Sequence, residues 1–246
     1  MTYIIIIIIS VFVLFLVSKI VIDRRNKKLL LTVTSLDRGT SSEKHLILKL
    51  LKNEIPSKAV FHDLMIRKGQ DDFSQIDLVL ATKQGIIVFE VKDYKGWIFG
   101  SGNHNNWTQV LAYGKRKFRF YNPVKQNKNH INNLKNTLKQ FDKIPFYSIV
   151  VFYGDCTLKE IEYIPKDTYI VKPHRIMEVL NQIKNNNDPA LYSNKQEIVD
   201  ELNRAVILGG DEETQKKHIN RIKDKVGKHR VFDWTLININ PNLEVH

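Results

Sequence analysis

A single cysteine, Cys156, occurs in the 246 residues. One thiol excludes an intramolecular disulfide, and with it a disulfide-stapled scaffold; a Cys-based zinc site is excluded as well. Acidic side chains are missing from the first 22 residues, where Lys19 is the one charged side chain. No Lys or Arg precedes the apolar run there, and no Ala-x-Ala follows it. Those are the marks a cleaved signal peptide would carry. Internal repeats are absent too.

What fills the N-terminus is an almost unbroken apolar run, residues 3–22. At about 1.5 Å per residue, some twenty helical residues match a bilayer core of roughly 30 Å. Arg24, Arg25, Lys27 and Lys28 follow at once. The positive-inside rule keeps such a cluster in the cytoplasm. The expectation is a single-pass anchor in the cell membrane, N-terminus outside, with the remaining chain facing the cytoplasm. A lone cysteine agrees with a reducing compartment.

The net charge is +12, and 37 of the 38 Lys and Arg and all 26 Asp and Glu follow residue 22. That part therefore carries +11, which suits a polyanionic partner, either nucleic acid or anionic lipid. Solubility alone is the plainer reading of the same excess.

Four segments are expected: the anchor (3–22), a polar juxtamembrane linker (23–39), a globular domain (40–185) and a helical C-terminal extension (186–246). "TSSEKHLILKLLKN" starts a helix, with Thr40 and Glu43 at capping-box spacing and Leu46, Ile47, Leu50 and Leu51 as its apolar stripe. Strands are expected over 59–66, 75–82, 85–94, 146–154 and 168–173, with a short hairpin within 108–121. Asn122 and Pro123 are N-cap and first residue of a helix striped by Ile131, Leu134, Leu138 and Phe141. A helix covers 174–184, and two exposed helices follow in 194–206 and 214–226. This order is a mixed α/β domain built on a central sheet.

"QIDLVLATKQGIIVFEVKDY" carries the chemistry. A two-residue turn at Lys83–Gln84 makes opposed residues sum to 167, as Thr82 and Gly85 do. Asp77 then lies across from Glu90, and Gln75 across from Lys92. Side chains alternate with period two, so Glu90 and Lys92 share a face. Two opposed carboxylates repel unless something neutralises them. A divalent cation with oxygen ligands, Mg²⁺ or Mn²⁺, does so, and so does Lys92 as a plain ion pair. With a metal, Asp77, Glu90 and Lys92 form an apparatus for metal-assisted phosphodiester hydrolysis.

Gln75-Ile76-Asp77, Gly85, Glu90-Val91-Lys92, Gly96, Trp107, Asn122-Pro123 and Gln126 occur in this order. From Ser42 to Leu180 the chain resembles the nuclease-related domain (NERD) family, grouped with the restriction-endonuclease-like nucleases of PD-(D/E)XK signature. The resemblance implies a four-stranded mixed sheet flanked by helices and metal-dependent cleavage of nucleic acid. It implies metal held by Asp77, Glu90 and the Val91 backbone carbonyl, with Lys92 catalytic and Gln126 beside it. Glu43 matches a first-helix glutamate that can join the metal shell, although Ser42 stands where the family usually has glycine. The capping role of Glu43 is an equal reading.

Lys115, Arg116, Lys117, Arg119, Lys125 and Lys128 cluster beside this site and suit phosphates; they equally suit a guarded strand edge. Trp97 and Trp107 could stack on bases or pack internally. Tyr94 and Lys95 flank the strand end and could touch substrate, and His130 could contact phosphate but reads first as an exposed histidine. The leading expectation is a membrane-anchored, Mg²⁺- or Mn²⁺-dependent nuclease, with DNA favoured over RNA. A non-cleaving nucleic-acid-binding scaffold on the same fold is the second reading. A protein whose basic surface meets lipid is the third.

Overall fold

The apolar run around Glu90 becomes the middle strand of a five-stranded sheet. The computed structural model describes residues 2–69, 72–111, 114–138 and 143–226. Phe141 and the last 20 residues of the expected C-terminal extension lie outside the described residues. The elements in chain order are α1 (Thr2–Leu30), α2 (Ser41–Lys52), β1 (Val60–Arg67), β2 (Phe73–Ala81) and β3 (Ile86–Asp93). Then come β4 (Gly96–Ser101), β5 (Asn106–Leu111), β6 (Arg116–Tyr121) and α3 (Pro123–Thr137). The chain continues with β7 (Phe146–Tyr153), β8 (Cys156–Glu162), β9 (Thr168–Val171), α4 (Ile176–Asn186), α5 (Lys195–Gly209) and α6 (Glu212–Val226).

The first sheet has the order β1-β2-β3-β7-β9 and the second β6-β5-β4-β8. The first is the expected central mixed sheet flanked by helices, with five strands where the resemblance implied four, and the second mixed sheet stands beside it. In the first, β1, β2 and β3 are antiparallel, and β7 and β9 continue it in parallel. Strands β4 and β8 were not expected. β4 is short and glycine-bounded, and β8 reads Cys-Thr-Leu-Lys-Glu-Ile-Glu, too polar to stand out.

Both faces of the first sheet are covered, which is why β3 is apolar at nearly every position. Leu46, Ile47 and Leu50 of α2 and Ile176, Val179 and Ile183 of α4 pack on one face, against Ile87, Phe89 and Val91. Ile131 and Leu134 of α3 pack on the other, with Ile86 and Val88. Ile198, Leu202 and Ala205 of α5 join that second cluster. α5 is thus no exposed appendage, as its sequence suggested, but a cover for β1. Its contact is close: a Cβ on Gly209 would lie 2.0 Å from the Asp63 carbonyl oxygen. Gly209→Ala is therefore expected to lift the end of α5 and cost about 1–3 kcal/mol, read as a lower urea midpoint.

The expected linker is also structured. α1 runs on to Leu30, which packs with α2 in the first cluster. Arg38 Nε donates to Asp63 Oδ2 at 2.9 Å, and Arg38 Nη2 donates to the carbonyls of Asp63 (2.7 Å) and Val206 (3.2 Å). Among the described residues one helix, α1, is long and apolar enough to cross a membrane, and a signal sequence passes the same test of length and composition.

Candidate active site

The site begins with an irregularity in two strands. The β1–β2 ladder pairs His62 with Leu78 and Leu64 with Ile76, and skips Asp63 and Asp77. Asp63 has φ 55°, in the left-handed region that aspartate tolerates better than most residues. Phe61 and Leu64 share one cluster although three apart, as do Ile76 and Val79. The alternation of faces therefore shifts by one at both aspartates. The Asp77 side chain is freed from strict strand geometry, and its Oδ2 accepts the Val91 N–H at 2.7 Å.

The turn at Lys83–Gln84 sets the register as expected. Thr82 N–H donates to the Gly85 carbonyl at 2.9 Å, and the ladder runs to Leu78 opposite Phe89, which sums to 167. It stops there. Asp77 meets β3 through the Val91 amide rather than by direct pairing with Glu90. Gln75 does not face Lys92; its Nε2 donates to Asp63 Oδ1 at 2.7 Å.

Glu90 and Lys92 do share a face, with Lys92 Nζ 2.8 Å from Glu90 Oε1. Gln126 joins them, since Lys92 Nζ also donates to Gln126 Oε1 at 3.1 Å. The placement of α3 makes this contact possible. Asn122, fully buried, caps α3 by accepting the Val124 N–H at 2.9 Å, while its amide donates to the carbonyls of Ser101, Gly102 and His104. Asn127 Nδ2 donates to the Val88 carbonyl (2.8 Å) and to Ser148 Oγ (2.9 Å), which fixes α3 across β3 and β7.

His130 is not exposed, as its sequence context suggested. It is buried, with Nδ1 2.8 Å from Ser74 Oγ and Nε2 3.2 Å from Glu90 Oε2. The second contact is electrostatic and lacks the alignment of a hydrogen bond, so both atoms are buried without a hydrogen-bond partner. His130 stands four residues after Gln126, on the same helix face, and that spacing was the signal for it. Ser74 had no such signal.

Charge in the site is unevenly balanced. Burial pushes the Asp77 carboxyl well up, and the Glu90 and Glu43 carboxylates push it further, against Lys92 and the Val91 amide. Burial acts on Glu90 the same way, but Lys92 and His130 more than offset it and hold Glu90 below its ordinary value. Burial favours a neutral Lys92, yet Glu90, Tyr94 and Asp77 keep it charged and raise it above the usual lysine range. Glu90 and Asp77 thus act on one ammonium group, Glu43 adds to the negative charge felt by Asp77, and one Glu90 oxygen is buried without a hydrogen bond. That donor set, all oxygen with excess negative charge, fits Mg²⁺ or Mn²⁺ on Asp77, Glu90 and a main-chain carbonyl such as that of Val91. Among the described residues, no three His, Cys, Asp or Glu side chains converge as a metal cluster.

Glu43 has the cap it was expected to have. Its N–H donates to Thr40 Oγ1 at 3.3 Å, and the Thr40 hydroxyl donates to Glu43 Oε1 at 2.7 Å. Its other oxygen lies 3.0 Å from His62 Nε2, a buried histidine with no motif to mark it.

The basic residues divide. Arg116, Lys117 and Arg119 project from β6, the outer strand of the second sheet, and Lys115 lies in the turn before it; all are exposed. Lys128 is exposed on α3. Lys125 is committed elsewhere, donating to the Asn103 carbonyl (2.9 Å) and Asn105 Oδ1 (2.7 Å). Trp107 is 1% exposed and stacks on Phe152, so it is core and not a platform for bases. Tyr94 is likewise buried, 4.6 Å from the Phe120 ring. Trp97 is half-buried with Lys159 Nζ 5.3 Å above its ring. Lys95 is exposed.

Residues 38–153 match the family model described as nuclease-related domain, NERD, of the restriction-endonuclease-like superfamily. The chain is 28% identical over 194 residues to an uncharacterized protein of Bacillus anthracis, covering 78% of this chain and 86% of the relative. No solved structure matches the chain significantly.

Proposed function

We propose that the nuclease-related domain of residues 38–153 makes this protein a membrane-anchored, divalent-metal-dependent nuclease. It hydrolyses nucleic-acid phosphodiester bonds, DNA before RNA, at the cytoplasmic face. The observation that carries this reading is the group of buried Glu90 with half-buried Asp77 and Lys92, the ammonium 2.8 Å from Glu90 and the aspartate locked on the Val91 amide. Asp77 and Glu90 would hold Mg²⁺ or Mn²⁺, which supplies a Lewis acid for the phosphate and an acidified water. Lys92 supplies a fixed positive charge where negative charge builds on the phosphate. Gln126 orients Lys92 from α3. Arg116, Lys117, Arg119 and Lys128, with Lys115 beside them, neutralise flanking phosphates without reading sequence.

The test uses the full chain in detergent micelles, with DNA or RNA substrate in Mg²⁺, Mn²⁺ or EDTA. Cleavage should require the metal, and Asp77→Ala, Glu90→Ala and Lys92→Ala should each abolish it. Activity that survives all three substitutions rules this site out.

A second reading, a non-cleaving nucleic-acid-binding scaffold, draws on one observation. Lys92 and His130 already flank both oxygens of Glu90, a balance that stands without metal. Salt-sensitive DNA binding with no cleavage in either metal would favour it. Binding to anionic vesicles but not to DNA would favour a lipid-facing role instead.

A further inference from the structure

Between Asp93 and Asp142 the chain has no acidic residue, and those 48 positions hold seven lysines and two arginines. This stretch alone carries +9, against +12 for the whole chain. It contains β4, β5, β6 and α3, the helix whose Gln126 meets Lys92. The second sheet is polarised as a result. β6, its outer strand on one side, carries Arg116, Lys117 and Arg119, while β8 on the other side carries Glu160 and Glu162.

Within this basic band Phe118 is 48% exposed, the one exposed phenylalanine after α1 among the described residues. A single exposed apolar side chain is common and by itself means little. Its surroundings set Phe118 apart. Lys117 and Arg119 flank it, and its ladder partner is Gln109, whose amide is committed to the Lys95 carbonyl at 2.9 Å. Alternation puts Phe118 on the face of Phe120, which is buried 4.6 Å from the ring of Tyr94, two residues past Lys92. Residues two apart on a strand are about 7 Å apart. The exposed ring therefore continues an aromatic row that starts beside the end of β3.

We propose that the β6 edge is a track for single-stranded nucleic acid, with Phe118 as the platform on which a base stacks. The inference rests on the nucleic-acid reading above and names its substrate as a single strand. An unpaired base offers a free ring face to an aromatic side chain, whereas a duplex keeps its faces inside the stack. Phosphates on either side of that base meet Lys117 and Arg119, and Arg116 on the face of Phe118 itself. An edge strand is open on both faces, so a chain laid along it reaches both sets of side chains. β6 leads through Asn122 directly into α3, so the track ends at Gln126 and Lys92. Lys128, exposed on α3, extends the positive surface in the same direction. Anionic lipid would meet the same charges, but a single polyanionic strand can also run from this edge to the acids of the site.

The test measures binding in EDTA, where no metal-dependent cleavage intervenes. Full chain in detergent is titrated into a fluorescent DNA strand of about 20 nucleotides, long enough to span the edge, and into the duplex of the same sequence. Wild type should bind the single strand about tenfold more tightly than the duplex. Phe118→Ala should weaken single-strand binding about tenfold and change duplex binding by less than about twofold. Phe118→Tyr, which keeps a stacking ring, should stay within about threefold of wild type. Lys117→Gln with Arg119→Gln should weaken both forms and lower the salt slope for the single strand by about 1. A Phe118→Ala protein that binds the single strand like wild type overturns the inference, as does a wild type that binds duplex equally well. Loss of binding to phosphatidylglycerol vesicles in Phe118→Ala, with single-strand binding unchanged, overturns it in favour of a lipid surface. Single-strand binding that depends on Phe118 without cleavage in either metal would support this inference and remove the nuclease reading. Metal-dependent cleavage with Phe118→Ala binding intact would do the reverse.

Discussion

Asp77→Asn is expected to do two opposite things: lower metal-dependent cleavage by about a thousandfold, and make the metal-free protein more stable. The first effect equals about 4 kcal/mol of transition-state stabilisation, within what a metal and its ligands supply. The second follows from the direction of the Asp77 shift. Burial, Glu90 and Glu43 raise its folded pKa above the unfolded value. Below the unfolded value the group is protonated in both states and costs nothing. As pH rises toward the elevated folded value, the unfolded chain loses its proton first, and stability falls. Asn removes this loss. The gain of Asp77→Asn over wild type should be absent at acid pH, grow as pH rises above the ordinary aspartate range, and then level off. Thermal melts in EDTA across pH read it directly. Adding Mg²⁺ should raise the wild-type melting temperature and leave Asp77→Asn nearly unmoved. An Asp77→Asn protein that is less stable than wild type at neutral pH would show that Asp77 is a structural hydrogen-bond acceptor for Val91 and little more.

Lys92→Met should also lose cleavage, but with the reverse effect on stability. The Lys92 side chain is 12% exposed and that of Glu90 1%. Removing one member of so buried a pair leaves the other charge unpaired, a cost of about 3–5 kcal/mol. His130 remains beside Glu90 and offsets part of it. The sign with pH follows from Glu90. Its folded pKa lies below the unfolded value, so its contribution is present above the unfolded value and is lost as pH falls through the folded one. Lys92→Met removes the main opposite charge, so the variant should lose most stability at neutral pH and approach wild type in acid. Denaturant melts at neutral and acid pH would check this. Equal destabilisation at both would point to lost packing by the lysine stem instead of lost charge. Together the two variants separate a loaded site from a plain ion pair, because only a site with excess acid is stabilised by losing an aspartate.

Much of this site could be read in one dimension because its elements are local. A two-residue turn sets the register of the strands it joins, so Lys83–Gln84 placed Asp77 near Glu90 before any fold was known. The period of two placed Lys92 beside Glu90. Asn122-Pro123 announced the start of α3, and the long apolar run announced α1. Each of these depends on chain geometry within one stretch of about twenty residues.

Other features depend on how distant elements pack, and no local pattern encodes that. The ladder stops one pair short of Asp77 because Asp63, on β1, adopts a left-handed backbone and shifts both strands. His130 reaches Glu90 only because Asn127 seats α3 across β3 and β7. α5 looked polar, yet its small stripe and Gly209 let it lie against β1. His62 meets Glu43 and Thr34 across 19 and 28 residues of sequence. The acids, the lysine and the turn were determined by the sequence itself, through side-chain alternation and turn geometry. Which partners hold those acids, and how much charge is left for a cation to balance, was decided only when helices and sheet closed around them, because desolvation and long-range contacts exist only in the packed chain.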